Sequence, residues 1–476
     1  MTQTTSSARG PRDARPGLLV PLALAQFICS FAGSNMNVMI NDMSRDLDTT
    51  VRGIQSAITV FLLVMAALMI PGGKLADRYG RVRMFRLGLV VYGVGALLSA
   101  AAPGLGVLIL GNSILEGIGT AMLIPPVYIL ATLYFSDTMS RARAFGTISA
   151  LGGVGAAAGP LIGGLITSAI SWRASFVFQA LVIAVIVVLS RRIADPLPPD
   201  PTHAFDVTGA VLSAAGMVLI VMGILAVSRS IWLTAALIVA GALVLALFFR
   251  TVRAKERAGR EPLLSTRLFR DRAANLGLIT QNIQWLLLLG TSFTVAAYLQ
   301  VVRGYDAVQT GVIFTAATVG LLASSLGAER FAKKYAQRSL VIAGFVMSIV
   351  GIAVLIVIAY NFSSPWAFAP GLLLIGFGLG GMLTPSINIV QSSFGEDMQG
   401  EISGLSRSVS NLGSSLGTAI AGAILAAGLT RGGYAAALVT LGGLGLLGLL
   451  AASGLPRSRA ATAPGDKAST SRTVPR

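Results

Sequence analysis

Apolar runs of roughly 20 residues, separated by short polar stretches, fill the chain from Gly17 to Leu455. They fall at 17–40, 53–72, 84–103, 106–128, 142–168, 173–191, 207–227, 231–250, 274–301, 308–328, 339–360, 366–390, 402–428 and 433–455. Each is long enough to cross the hydrocarbon core of a bilayer as a helix, the form in which every backbone N–H and C=O is paired within the segment. The pattern predicts an all-α polytopic membrane protein of fourteen transmembrane helices. An even number of spans puts both chain ends on one side.

Composition agrees. Of 476 residues, 54% are hydrophobic and 12% charged, with a mean hydropathy of +0.78, which excludes a soluble domain. The net charge of +17 would suit a nucleic acid only if the basic residues shared one exposed face. They lie instead in loops: 29 of the 36 Lys and Arg fall on the side of the termini, 6 on the other, and Arg407 inside a helix. By the positive-inside rule both termini are cytoplasmic and the protein is a multi-pass protein of the cell membrane. The first run is too long for a signal-peptide core and reads as an uncleaved helix. Cys29 is the sole cysteine, so no intrachain disulfide forms, and the sole histidine, His203, sits in a loop. No G-x-x-x-x-G-K-[ST] loop is present to hold a nucleotide. No cofactor, metal, nucleic acid or enzymatic activity is expected.

The chain repeats itself. Gly117, Gly119, Pro126, Phe135 and Met139 recur as Gly376, Gly378, Pro385, Phe394 and Met398, each offset by 259 positions. This spacing predicts two parallel six-helix halves, 17–192 and 273–455, with helices 7 and 8 inserted between them over 193–272. The tails, 1–16 and 456–476, are polar and read as disordered.

Glycine carries the next signal. In GTISALGGVGAAAGPLIGG, residues 146–164, Gly155, Gly159 and Gly163 stack at i, i+4 and i+8 and leave a groove that another helix can enter closely. Pro160 bends that helix, and Gly146 and Gly164 bracket the pattern. The residues alone allow a simple packing face.

Few polar side chains interrupt the runs. Glu116 lies about ten residues from either end of the fourth, near mid-membrane, where a carboxylate is costly and is protonated or paired. It is either a proton carrier or a hydrogen-bonded structural acid. Arg407 in the thirteenth run either snorkels to the cytoplasm or stands as a cation in a central cavity, where it meets Glu116 or an anionic substrate. Asn37, Gln284 and Trp285 are the remaining cavity candidates. Between runs 2 and 3 the loop reads Gly73-Lys-Leu-Ala-Asp77-Arg78-Tyr-Gly80-Arg81-Val-Arg83.

These motifs together resemble one family. The 73–83 loop is similar to the G-x-L-a-D-r-x-G-r-k signature of the major facilitator superfamily, and residues 146–164 resemble the fifth-helix antiporter motif of its exporters. Leu299-Gln300-x-x-x-Gly304-Tyr305 followed by Gly311, and Trp172-Arg173 with Phe176, resemble its fourteen-helix drug:proton antiporters. The resemblance implies alternating access by two six-helix bundles, a cavity lined by helices 1, 2, 4, 5, 9, 10, 12 and 13, and Asp77 latching the cytoplasmic side. It also implies export, with protons and a small-molecule substrate as partners in a lipid bilayer and the chain acting as a monomer. Two motifs depart from the pattern. Ser113 stands where the fourth-helix motif R-x-x-Q-G-x-G has arginine, with Glu116 in the glutamine slot. In helix 1, Ala32 occupies the usual acidic position of D-x-T-I-V-N-V-A-L-P, although Asn37 is matched. The expected function is therefore proton-coupled efflux of a hydrophobic or amphipathic drug, antibiotic or secondary metabolite. The alternatives are a uniporter or symporter of one metabolite, or a non-transporting receptor or channel.

Overall fold

The computed structural model describes residues 16–135, 138–196, 198, 205–227, 229–362, 364–394 and 398–456. The expectations for the tails, apart from Pro16 and Pro456, and for His203 fall outside these residues, as do the side chains of Arg141, Arg143 and Met139.

Every predicted run is helical. The long helices are α1 (Pro16–Asn35), α2 (Val51–Tyr79), α3 (Arg81–Ala100), α4 (Leu105–Tyr134), α5 (Thr138–Ala169), α6 (Trp172–Ser190) and α7 (Val207–Leu225). They continue as α8 (Ile231–Arg257), α9 (Arg272–Val302), α10 (Ala307–Lys334), α11 (Gln337–Asn361), α12 (Pro365–Gln391), α13 (Gln399–Leu425) and α14 (Arg431–Ser453). Twelve are long and apolar enough to cross a membrane. The other two differ for local reasons. α5 bends by 44° between Gly146–Ala156 and Ala158–Ala169, because Pro160 has no N–H to give the Ala156 carbonyl. α13 carries Ser406, Arg407, Ser408, Ser410, Asn411, Ser414 and Ser415, which lower its hydropathy.

Side-chain oxygens begin several helices: Thr50, Ser171, Asp206, Ser230, Asp271 and Thr430 each accept a hydrogen bond from the backbone N–H three residues on. α4 is longer than expected, so Glu116 lies eleven positions from Leu105 and eighteen from Tyr134. Its segment Ile109–Glu116 is wound as a π-helix, which rotates the later turns of α4 relative to a regular α-helix.

The repeat seen in sequence is also a repeat of contacts. A methyl group added at Gly95 would lie 2.7 Å from the Gly111 carbonyl oxygen, and one at Gly351 would lie 2.8 Å from that of Gly371. The same holds between α1 and α5 and between α9 and α13. A methyl on Gly155 would meet the Phe27 carbonyl at 2.2 Å, and one on Gly413 would meet the Asn282 carbonyl at 2.1 Å. In both places two backbones approach as only glycine permits. Gly159 and Gly163 continue the α1 seam against Ser34 and Asn35, while Gly164 packs on Ala307 of α10.

The first six long helices and the last six meet along two seams, α2 with α13 and α5 with α10. α7 and α8 pack on one another, and α7 leans on α2 and α13 from outside. Large apolar side chains such as Leu181, Val211, Leu243 and Leu450 are exposed on the perimeter, which water would not tolerate as one continuous belt and hydrocarbon does. α1 starts and α14 finishes at the same end of the bundle, the tail end. Asn37 and Gln300 meet at the far end, and Lys74 and Glu401 meet at the tail end.

Candidate functional site

Where the halves face each other a cavity opens, enclosing about 1120 Å³ of space including its mouth. Residues of α1, α2, α4, α5, α9, α10, α12 and α13 line it, the eight helices that the family resemblance implies. Its middle is apolar, with Leu62, Met65, Ile124, Leu288, Phe314 and Ile375. Most of its polar groups lie on two helices, with Thr291 and Ser292 on α9 and Thr318 on α10 besides. On α1 and its continuation they are Gln26, Ser30, Ser34 and Asn37, and on α13 they are Arg407, Ser410, Asn411 and Ser414.

At the far end α1 breaks into a single 3-10 turn, Met36–Val38, that carries Asn37. The Asn37 carboxamide is buried at the cavity wall, and neither its Nδ2 nor its Oδ1 has a hydrogen-bond partner. Gln300 of α9 bonds the backbone on both sides of this turn. Its Nε2 donates to the Asn37 carbonyl at 2.8 Å, and its Oε1 accepts from the Asn41 N–H at 3.2 Å. Toward the tail end, Arg407 Nη2 donates to the Tyr128 hydroxyl, and the guanidinium lies 4.8 Å from the Tyr128 ring centre. The Tyr128 hydroxyl donates to Gln26 Oε1 (3.3 Å), and Gln26 Nε2 donates to Ser30 (3.1 Å). A polar chain thus crosses from α13 through α4 to α1.

Three of the five expected cavity residues, Asn37, Trp285 and Arg407, come together here. Gln284 and Glu116 do not. Gln284 is buried between α9 and α12, where it donates to the Leu379 carbonyl (3.0 Å) and accepts from Ser386 (3.0 Å). Glu116 turns into the α3–α4 seam, accepting from the Ser99 hydroxyl (3.2 Å) and from Asn112 Nδ2 (3.3 Å). Ser113, in the arginine slot of the family motif, donates to the Ala57 carbonyl of α2 at 2.8 Å. Gln26, Ser30 and Tyr128 lie outside every motif read from the sequence, and Ser34 falls in the threonine slot of the helix-1 motif; the 26, 30, 34, 37 spacing marks one polar stripe on a helix.

The 73–83 loop forms an ion-pair cluster at the tail end. Asp77 accepts from Arg81 Nη2 at 3.0 Å, and Asp195, beyond α6, accepts from the Arg81 and Val82 backbone N–H groups and caps α3. Gly80 makes the turn with φ +99°, and Gly73 faces Pro125 of α4. Arg78 stacks over Tyr79. Among the described residues, the ion pair that spans the two halves is a different one: Lys74 Nζ donates to Glu401 Oε1 at 2.8 Å. Glu401 Oε2 also accepts from the Ser265 N–H at 3.2 Å, which ties in the segment before α9.

Two outer knots fix the frame. Asp46 takes hydrogen bonds from the Trp172 indole (3.0 Å) and from Arg173, whose guanidinium holds its carboxyl below the usual range. At the start of α7, burial pushes the Asp206 carboxyl up. The Lys255 ammonium and the N–H groups of Gly209 and Leu263 outweigh burial and hold it below the usual range.

Comparison with known proteins gives this arrangement its context. The chain is 29% identical to the puromycin resistance protein pur8 of Streptomyces alboniger over 426 residues, which covers 87% of this chain and 83% of that one. It is 26% identical to the multidrug resistance protein Stp of Mycobacterium tuberculosis, covering 87% and 76%. In fold it resembles the crystal structure of a D-xylose-proton symporter, with a TM-score of 0.66 at 11% identity over 93% of this chain and 98% of that one. The family model described as Major Facilitator Superfamily matches twice, at residues 22–208 and again at 204–418. This chain belongs to the Major Facilitator Superfamily.

Proposed function

We propose that the protein exports amphipathic small molecules by alternating access, with all fourteen helices crossing the membrane and both termini in the cytoplasm. In this reading the halves 17–192 and 273–455 tilt about the α2–α13 and α5–α10 seams, and α7–α8 ride outside them. The observation that carries it is the cavity: eight helices from both halves surround a partly polar, partly apolar space, and Gln300 of one half bonds Asn37 and Asn41 of the other beside it. The relatives named as drug resistance proteins support the outward direction and the class of cargo.

Proton coupling is assigned to Glu116, the carboxyl set deepest in a long helix among the described residues. Gly155, Gly159, Gly163 and Pro160 serve as the seam and bend on which α5 moves, and Asp77 with Arg81 holds the tail-end loop through the cycle. The protein acts as a monomer in the cell membrane and carries out no catalysis. Flux of an amphipathic dye in proteoliposomes, measured with and without a pH gradient, tests this reading. Saturable, gradient-driven accumulation supports it. Saturable flux indifferent to the gradient favours a uniporter, and flux that does not saturate favours a channel.

A further inference from the structure

We infer that the cavity selects anionic amphipathic cargo, with Arg407 as the counter-ion and Asn37 as a polar anchor at the opposite pole. The inference rests on the cavity being the cargo path.

Among the described residues that line the cavity, Arg407 is the one that carries a charge, and none is Asp or Glu. Among the described residues, the carboxylates of the lining helices are engaged elsewhere. Glu116 lies in the α3–α4 seam, Glu401 pairs with Lys74, and Asp77 pairs with Arg81. The Arg407 guanidinium meets a tyrosine hydroxyl and ring, both neutral, although its planar fork of five N–H donors suits a carboxylate, sulfonate or phosphate. A part-buried cation on a cavity wall that holds no carboxylate lacks a counter-charge, and an acidic cargo brings one. A cationic cargo would meet repulsion in a medium where charges are poorly screened, with no carboxylate on the wall to offset its desolvation.

The second pole is independent of the first. The Asn37 carboxamide, 1% exposed, offers both a donor and an acceptor with no protein partner. It lies eleven residues along the chain from Gln26, which belongs to the Arg407–Tyr128 chain, so the poles stand roughly 17 Å apart at helical rise. The lining between them combines apolar side chains, such as Leu62, Met65 and Phe314, with the hydroxyls of Ser30 and Ser34. The complementary molecule is elongated, with an acidic group at one end and a hydrogen-bonding group at the other.

The test uses two naphthalene dyes that differ in one sulfonate, 8-anilinonaphthalene-1-sulfonate and N-phenyl-1-naphthylamine. Both are titrated by fluorescence against the full chain in nanodiscs, with empty nanodiscs subtracted. The sulfonate should bind about tenfold more tightly than the neutral dye. Arg407→Gln should bring the two within about twofold, and Arg407→Lys should keep most of the preference. Equal affinities in the unaltered protein, a preference that survives Arg407→Gln, or displacement by tetraphenylphosphonium as strong as by the sulfonate would overturn the inference. Gradient-driven flux of the same dyes separates the two claims. Sulfonate-selective binding without flux sinks the transport reading and leaves the anion site standing, whereas saturable flux with no charge preference does the reverse.

Discussion

Lys74 Nζ lies 2.8 Å from Glu401 Oε1, joining α2 to α13 at the tail end of the bundle across 327 positions of sequence. The two helices stay in register from there: Ser408 donates to the Ala66 carbonyl, Ser415 to that of Thr59 (3.1 Å), and Gln55 to that of Thr418 (3.2 Å). Lys74→Ala removes one partner of Glu401, whereas Glu401→Ala also strands the Ser265 N–H. The lysine variant should lose about 1 kcal/mol of stability and the glutamate variant clearly more. Thermal unfolding in detergent measures both, and equal losses would contradict the geometry.

The glycines of α5 are not equivalent. A methyl at Gly155 would lie 2.2 Å from a backbone oxygen of α1, which has no room to retreat, while one at Gly146 would meet nothing within 4 Å. Gly155→Ala should cost about 2 kcal/mol or more and abolish flux, whereas Gly146→Ala should be neutral or gain up to about 1 kcal/mol. Expression level, unfolding temperature and dye flux read this contrast together.

Glu116 faces a helix seam, and that separates binding from coupling. Glu116→Gln keeps an acceptor for Ser99 and the shape of the site, and it leaves the cavity wall untouched. Dye affinity should stay within about twofold of the unaltered protein. Accumulation driven by a pH gradient should fall by about tenfold or more, while dye exchange without a gradient persists. Unchanged gradient-driven accumulation in this variant removes Glu116 from the coupling step.

Acid should loosen the start of α7. The Asp206 carboxyl is held below its ordinary value, so the stability it supplies is present above an unfolded-state pKa of about 3.9 and is lost as pH falls through the lower folded value. Asp206→Asn should lower stability by about 2 kcal/mol at neutral pH and flatten the decline seen below about pH 4. Unfolding temperature measured from pH 7 down to pH 3 distinguishes the two curves.

Much of the fold is legible in the chain because membrane helices are specified locally. Their length, apolar character and flanking charge all lie within one run, and the glycine spacing of α5 marks its packing face for the same reason. α13 escapes a composition test because its serines pair with α2 or face the cavity, partners that a local window does not contain. Rotation about a helix axis is harder to read. The π-wound stretch Ile109–Glu116 changes which way later residues of α4 point, and Glu116 meets Ser99 rather than the cavity. Gln284 resembles a cavity residue because it is polar in an apolar run, yet Leu379 and Ser386 satisfy it completely enough to make it a strut. The Tyr128–Arg407 and Lys74–Glu401 contacts join distant parts of the chain and leave no periodic trace.

The claim on which the rest depends is that two rigid halves rock against each other around the cavity. Spin labels at Ile170 and Phe362, both exposed at the far end, and at Tyr79 and Tyr335, both exposed at the tail end, report it by pulsed electron–electron distance measurement with Cys29 replaced by Ala. The account predicts anticorrelated distances: conditions that lengthen the far-end pair shorten the tail-end pair, and 8-anilinonaphthalene-1-sulfonate shifts the balance between them. A single fixed distance at each end, or two distances that lengthen together, would contradict it.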